Sequence, residues 1–415
     1  MRAPTETQPV RSEGAPVNQT IRLAVVALCY ALSISIRMEA AEFIPLGDFP
    51  EGVFRSAANA VSSDGITVVG AGSRYPAFLS TSDAMRWDES SGIVNLQSLP
   101  LGSSPRSRAT GVSGTGEVVV GVIDYQSGSP SSQPFRWTAA EGLVGLGLLS
   151  NEGDFQYGVA ADVSADGQVI IGESSSNNGI SEAFRWTQAA GMIGLGDLPG
   201  GDFSSAATGI SDDGNVIAGV GHSASGSEAF RWTSDMGMVG LGDLPGGFYG
   251  SGANAISSDG KAVVGSGRSE LSGSSIEAFR WTEEQGMQPL GDLPGGSFTS
   301  EAFGVSSNGA VVLGTSDRDD GFKAFVWDEL HGMRDLQEIL ISEYGLGAEL
   351  TGWTLTIASD ISADGLSVVG SGINPDGNGE AYLVRLDRPL TAPEPSSLAL
   401  LLGGAILAAL RHHRR

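Results

Sequence analysis

Cysteine, histidine and positive charge are all scarce in this 415-residue sequence, and each scarcity removes a class of function. The one cysteine, Cys29, lies in an N-terminal apolar run, so a chain that loses this run has no disulfide and no thiol chemistry. Of four histidines, His412 and His413 stand at the very end. His222 and His331 remain in unrelated positions without metal-ligand spacing, and they read as surface residues. Lysine and arginine number 23 against 48 acidic residues, a net charge of −25 that repels phosphate backbones and argues against nucleic acid as a partner. No stretch shows helical period, so no Gly-x-Ser-x-Gly sits between a strand and a helix as a hydrolase nucleophile would. No apolar run reaches the roughly 18 residues expected of an ordinary spanning helix.

What the sequence has in quantity is glycine, 61 residues, and repetition. Ala229-Phe-Arg-Trp-Thr233 leads to Gly237-Met-Val-Gly-Leu-Gly-Asp-Leu-Pro-Gly-Gly247, and near copies surround Trp186 and Trp281. Trp87, Trp137, Trp186, Trp232, Trp281 and Trp327 recur every 46 to 50 residues and read as the repeat's structural core, each closing one unit. A seventh unit carries Val384 at the tryptophan position. A fixed period of this size means units that cannot bury their apolar faces alone and stack on their neighbours.

Within each unit, Asp-Gly or a related pair separates two short apolar segments: Asp64-Gly65, Asp166-Gly167, Asp213-Gly214, Asp259-Gly260 and Asp364-Gly365, with Thr115-Gly116 and Asn308-Gly309 in the same slot. These pairs predict hairpins with type I′ turns, while Leu198-Pro-Gly-Gly201 predicts a type II turn. Each unit is therefore about four short strands. Seven such units predict an all-β, seven-bladed β-propeller over residues 42–386, because radial repetition leaves only short protected edges; an open β-solenoid is the alternative. Phe184 and Trp186 should face one side of their strand and Arg185 the other. Residues 337–357 of the last unit depart from the pattern and read as a closure device or a functional loop. Asp48, Asp197, Asp243 and Asp292 recur with the same period as Arg86, Arg136, Arg185, Arg231 and Arg280, which predicts Arg–carboxylate pairing from blade to blade.

The ends have a different composition. Residues 1–41 read as a polar leader and signal peptide around the apolar residues 23–36. Residues 387–397 form a proline-rich linker, 398–410 an apolar segment and 411–415 a basic tail. At about 1.5 Å per residue that segment reaches roughly 20 Å, a short transmembrane anchor whose arginines would lie in the cytoplasm.

Pro393-Glu394-Pro395, the apolar run and the basic end together resemble the PEP-CTERM sorting signal. That resemblance implies export and processing by an exosortase, with transient anchoring in the inner membrane and a final place at the cell surface, in the envelope or in extracellular matrix. Leu195-Gly-Asp-Leu-Pro-Gly-Gly201, Ala207-Thr-Gly-Ile-Ser211 and Ala229-Phe-Arg-Trp232 resemble the HAF family of extracellular repeats. The histidine that names that repeat is Glu182, Glu228, Glu277, Lys323 or Glu380 here, so no role for it carries over. The resemblance implies an association with the envelope or exopolysaccharide and no reaction.

No catalytic residue, metal ligand or cofactor is singled out. Ser63-Asp64-Gly65 has one carboxylate where a calcium loop needs several, and Gly-Asp-Leu-Pro-Gly-Gly lacks the lysine and helix of a phosphate cradle. The expected function is that of a non-catalytic, secreted module binding exopolysaccharide or a surface protein, with the Ser-rich loops at 174–182 and 266–277 able to meet sugar hydroxyls. The alternative is a propeller-fold glycoside hydrolase, which would need two carboxylates facing each other across a pocket.

Overall fold

The computed structural model describes residues 40–50, 55–73, 82–96, 106–125, 130–150, 152, 156–178 and 180–390. The leader, Pro393, Glu394, Pro395, the apolar segment and the basic tail lie outside the described residues. No helix among the described residues is long and apolar enough to cross a membrane.

Seven four-stranded antiparallel sheets make a seven-bladed β-propeller. The first blade comprises Ser56–Val61, Val68–Gly72, Asp83–Asp88 and Gly92–Asn95. In the seventh, Thr354–Ile361, Ser367–Ile373 and Gly379–Arg385 come from the end of the body, and the fourth strand is Glu42–Gly47 from its beginning. That strand pairs antiparallel with Gly379–Arg385, Glu42 opposite Arg385 and Ile44 opposite Leu383. The ring is closed by this exchange.

This corrects the unit boundaries. Each tryptophan lies on the third strand of its blade, and a fourth strand such as Gly191–Gly194 follows it. A sequence period fixes only the spacing; where one blade ends is decided by which segments pair.

The departing segment contains a short helix, Leu336–Ser342, capped by the Asp335 side chain, which accepts from Glu338 N–H. Its Leu336, Ile339 and Leu340 join Leu346, Leu350 and Trp353 in the core between blades six and seven. Trp353 meets Phe43 of the closing strand edge-on at 5.0 Å. Closure is thus carried by a strand, and the segment buttresses it.

Every blade repeats one cross-strand row. An alanine on the first strand faces a glycine on the second, which faces a large side chain on the third: Ala160, Gly172 and Phe184, or Ala207, Gly219 and Phe230. The first strand carries a β-bulge immediately after that alanine. The bulge pushes a carbonyl toward the glycine, so only a residue without Cβ fits. Blades pack on both faces, so second strands are continuous apolar runs: Val119 packs toward the first blade and Val120 toward the third. Phe184 and Trp186 lie on the side facing blade two, as alternation predicts.

Candidate functional site

The propeller presents two faces. On one, the first-to-second turns and the third-to-fourth hairpins project; on the other lie the second-to-third loops and the connectors between blades.

The Asp-Gly turns are built differently from the type I′ expectation. Gly65 N–H donates to Ser62 O at 2.8 Å, placing Asp64 at the third position of the turn and Gly65 at the fourth. No residue other than glycine has positive φ among the described residues, whereas Gly65 has φ +72°. The turn is therefore type I followed by a left-handed glycine. Asp64 Oδ1 accepts from the Ser62 hydroxyl and from Ile66 N–H, and Ser62 Oγ accepts from Thr67 N–H at 2.9 Å. Ser164-Asp166, Ser211-Asp213, Ser257-Asp259 and Ser362-Asp364 repeat the serine–carboxylate bond. The carboxylates are consumed in shaping the turn, which accounts for these pairs without calcium.

Neighbouring turns also bind each other around the axis. Gly114 N–H donates to Ala165 O, Ala165 N–H to Asp212 O and Asp212 N–H to Ser258 O at 2.9–3.1 Å. Asp259 N–H donates to Ser307 O, Ser307 Oγ to Ala363 O, Ala363 N–H to Ser63 O and Asp64 N–H to Gly114 O, which completes the circle. In six blades a Cβ added at the turn glycine would collide with the preceding blade, as at Gly167 with Val118. A Cβ added at Gly365 would meet nothing within 4 Å, and a cavity of about 420 Å³ opens there beside Pro389 and Leu390.

On the opposite face, Leu-Gly-Asp-Leu-Pro-Gly-Gly is the connector between blades. Gly200 has φ +98°, as a type II turn requires. Buried Glu182 accepts from Gly196 N–H, Glu228 from Gly242, Glu277 from Gly291 and Glu380 from Gly47. The position where the resembling repeat has histidine therefore fastens a connector, and Glu380 does so across the ring closure. Asp197 accepts from Leu198, Ser204 and His222 N–H, so the Gly196 and Leu198 amides of the loop are in use within the fold.

The expected Arg–Asp pairing is absent among the described residues, because the two groups lie at opposite ends of the blade. Each arginine is near the end of the third strand, on the turn face; each aspartate follows the fourth strand, on the loop face. Arg86, Arg231 and Arg280 instead donate from Nε to the carbonyls of Gly116, Gly260 and Gly309, the turn glycines of the next blade. They staple blade to blade through a carbonyl rather than a carboxylate. Of the Ser-rich loops, Ser174, Ser175, Ser181, Ser269 and Ser272 are buried and bonded internally. His331 Nδ1 contacts Asp328 at 2.9 Å.

Sequence reasoning missed the channel. Where other units have Ala60, Gly111, Gly209, Ala255 and Gly304 immediately before the Val or Ile, blades three and seven place Asp162 and Asp360. That break in the repeat was the available signal. Both carboxylates are enclosed by the channel wall, keep part of their surface toward its cavity, and brace the next blade: Asp162 accepts from Val163 and Ile210 N–H, Asp360 from Ile361 and Val61 N–H. Burial pushes Asp360 up to about 7 and Asp162 to about 6, partly offset by these amides and reinforced by the charges of Asp162 on Asp360 and Asp212 on Asp162. The polar cavity between them is about 100 Å³, room for water and well below the roughly 300 Å³ at which ligand pockets begin. The two carboxylates share a space that does not admit a sugar ring.

A buried carboxyl whose pKa is higher folded than unfolded favours the fold while it stays protonated, and this stability is lost as pH rises from the unfolded value toward the folded one. Stability, and with it the melting temperature, should therefore fall between about pH 4 and about pH 7, by up to a few kcal/mol at about 1.4 kcal/mol per unit. Asp360→Gly should flatten the profile. An unchanged slope in calorimetry would remove Asp360 as its source.

No protein-family model matches the chain, and no curated protein matches it. Among solved structures it is similar to TolB from Acinetobacter baumannii, at 14% identity over 74% of this chain and 77% of that one, with a TM-score of 0.43. It is also similar to a puromycin hydrolase mutant, at 13% identity and TM-score 0.49, covering 85% of this chain and 57% of that one. The β-propeller domain of the Trilobed protease from Pyrococcus furiosus is similar at 8% identity and TM-score 0.45, over 82% of this chain and 99% of that one. At these identities and scores none of them assigns an activity.

Proposed function

We propose that this chain is an exported, non-catalytic propeller that binds an extracellular polysaccharide or a surface protein, and that an exosortase processes it through Pro393-Glu394-Pro395. The observation that supports binding over catalysis is how the recurring polar residues are used. The turn aspartates, the glutamates before Ala-Phe-Arg-Trp, and Asp197 and Asp243 of Leu-Gly-Asp fasten turns and connectors. What varies from blade to blade is the loops and hairpins projecting from a rigid ring, an arrangement suited to presenting a surface. Export and envelope location rest on the terminal sequences.

The test uses the full chain on a glycan array, with glycosidase and peptidase screens on the same sample. Saturable binding without turnover is expected; turnover of any substrate overturns the non-catalytic reading. In cells, mass spectrometry of the mature protein should find the C-terminus cut near the Pro-Glu-Pro motif only when an exosortase is present.

A further inference from the structure

The arginines of the repeat differ in how their charge is met. Arg86 forms an ion pair with Asp88, and Arg136 Nη1 pairs with Glu141 Oε2 at 2.8 Å. The residue aligned with Glu141 in the hairpin after each tryptophan is Ala190 in blade three, Met236 in blade four and Gln285 in blade five. No ion pair reaches Arg185, Arg231 or Arg280 among the described residues. Arg280 spends Nε on Gly309 O and Nη1 on neutral Gln285, and Arg231 spends Nε on Gly260 O. In a chain of net charge −25, three consecutive arginines have lost their carboxylates.

Two of them, Arg231 and Arg280, line the same cavity, about 530 Å³ on the turn face across blades four to six, within the size range of small-molecule sites. Trp281, Thr282, Gln285 and Asn308 line it as well, supplying an indole surface and side chains that bond hydroxyls. Lys261 also lines it, already paired with Asp259 at 3.1 Å. Exposed Glu283, Glu284 and Glu329 stand at the rim.

We infer that this cavity binds a glycan through a single sugar carboxylate, a uronic acid residue flanked by neutral sugars. The inference rests on the polysaccharide reading above and names its ligand class. A planar guanidinium fork matches a planar carboxylate, and a charge-assisted bond of this kind is stronger than a neutral one. The indole and the amide and hydroxyl side chains suit a pyranose ring and its hydroxyls. The acidic rim opposes a polyanion, so a chain carrying a carboxylate on every sugar is disfavoured by like-charge repulsion.

The test reproduces in blades four and five the compensation that blade two already has. Gln285→Glu and Met236→Glu each add a carboxylate at an exposed position beside an arginine while leaving the staple to the next turn intact. With the full chain, calorimetric titration of a glucuronate-terminated oligosaccharide should show saturable binding. Its neutral glucose counterpart should bind at least about tenfold more weakly, and each variant should weaken the uronate by about tenfold or more with an unchanged melting temperature. Equal binding of the neutral sugar, or insensitivity to both variants, overturns the inference. Tighter binding of polygalacturonate overturns the role of the rim, and displacement of the uronate by equimolar inorganic phosphate overturns the choice of a sugar carboxylate. Array binding that ignores both variants sinks this inference alone; no glycan binding of any kind sinks it together with the polysaccharide reading.

Discussion

Removing residues 42–47 should convert the closed ring into an unstable or self-associating chain. The strand contributes Phe43 and Leu46, both buried, and its pairing covers the edge of Gly379–Arg385. Burial of two such side chains is worth about 1.5–3 kcal/mol each, a large share of a typical total of about 5–15 kcal/mol. The exposed edge would carry unpaired amides beside Tyr382 and Leu383, a template for pairing with another copy. Phe43→Ala is the milder variant. It deletes the ring that meets Trp353 at 5.0 Å and Tyr382 at 5.8 Å, and should cost about 3–5 kcal/mol. Light scattering and thermal melts read both, and a monomer melting with the parent would show that the ring does not depend on this strand.

Gly219→Ala should be nearly as damaging, although alanine is ordinarily a mild replacement. An added Cβ would lie 2.0 Å from Ala206 O and 2.8 Å from the Phe230 ring, and the backbone carbonyl cannot move without undoing the bulge. Overpacking of this kind costs about 1–3 kcal/mol and more where backbone must shift, so a loss of about 3 kcal/mol or more is expected. Gly379→Ala is the control. Its added Cβ meets nothing within 4 Å, so it should be neutral or stabilising through the unfolded chain. Denaturant melts of the two should separate widely; similar melts would refute the steric account of the repeated glycine.

The fold could be read from the sequence because its cues are local and repeated. Tryptophan spacing gave the number of units, and Asp-Gly pairs between apolar segments gave hairpins. The details that failed needed particular side-chain bonds or contacts that neither period nor dipeptide specifies. A type I turn with a left-handed glycine and a type I′ turn share the same dipeptide, and the Ser62 and Asp64 side chains decide between them. Arg185 and Asp197 keep the same period and still cannot meet, because periodicity does not say at which end of a strand a residue lies. Asp162 and Asp360 were visible as departures from Ala or Gly, and only the closed ring brings their charges together across the channel.

The sequence by itself determined the class of fold, the count of blades and which residues face the core, because period and alternation are properties of the chain. It also carries the terminal segments whose resemblance to export and sorting signals supports the proposal of export. The tertiary structure decided which strand closes the ring, why one glycine per blade admits no side chain, and which arginines lack a carboxylate. Each of these depends on two segments far apart in sequence approaching within bonding distance, and the pairing of Gly47 with Glu380 is the clearest case.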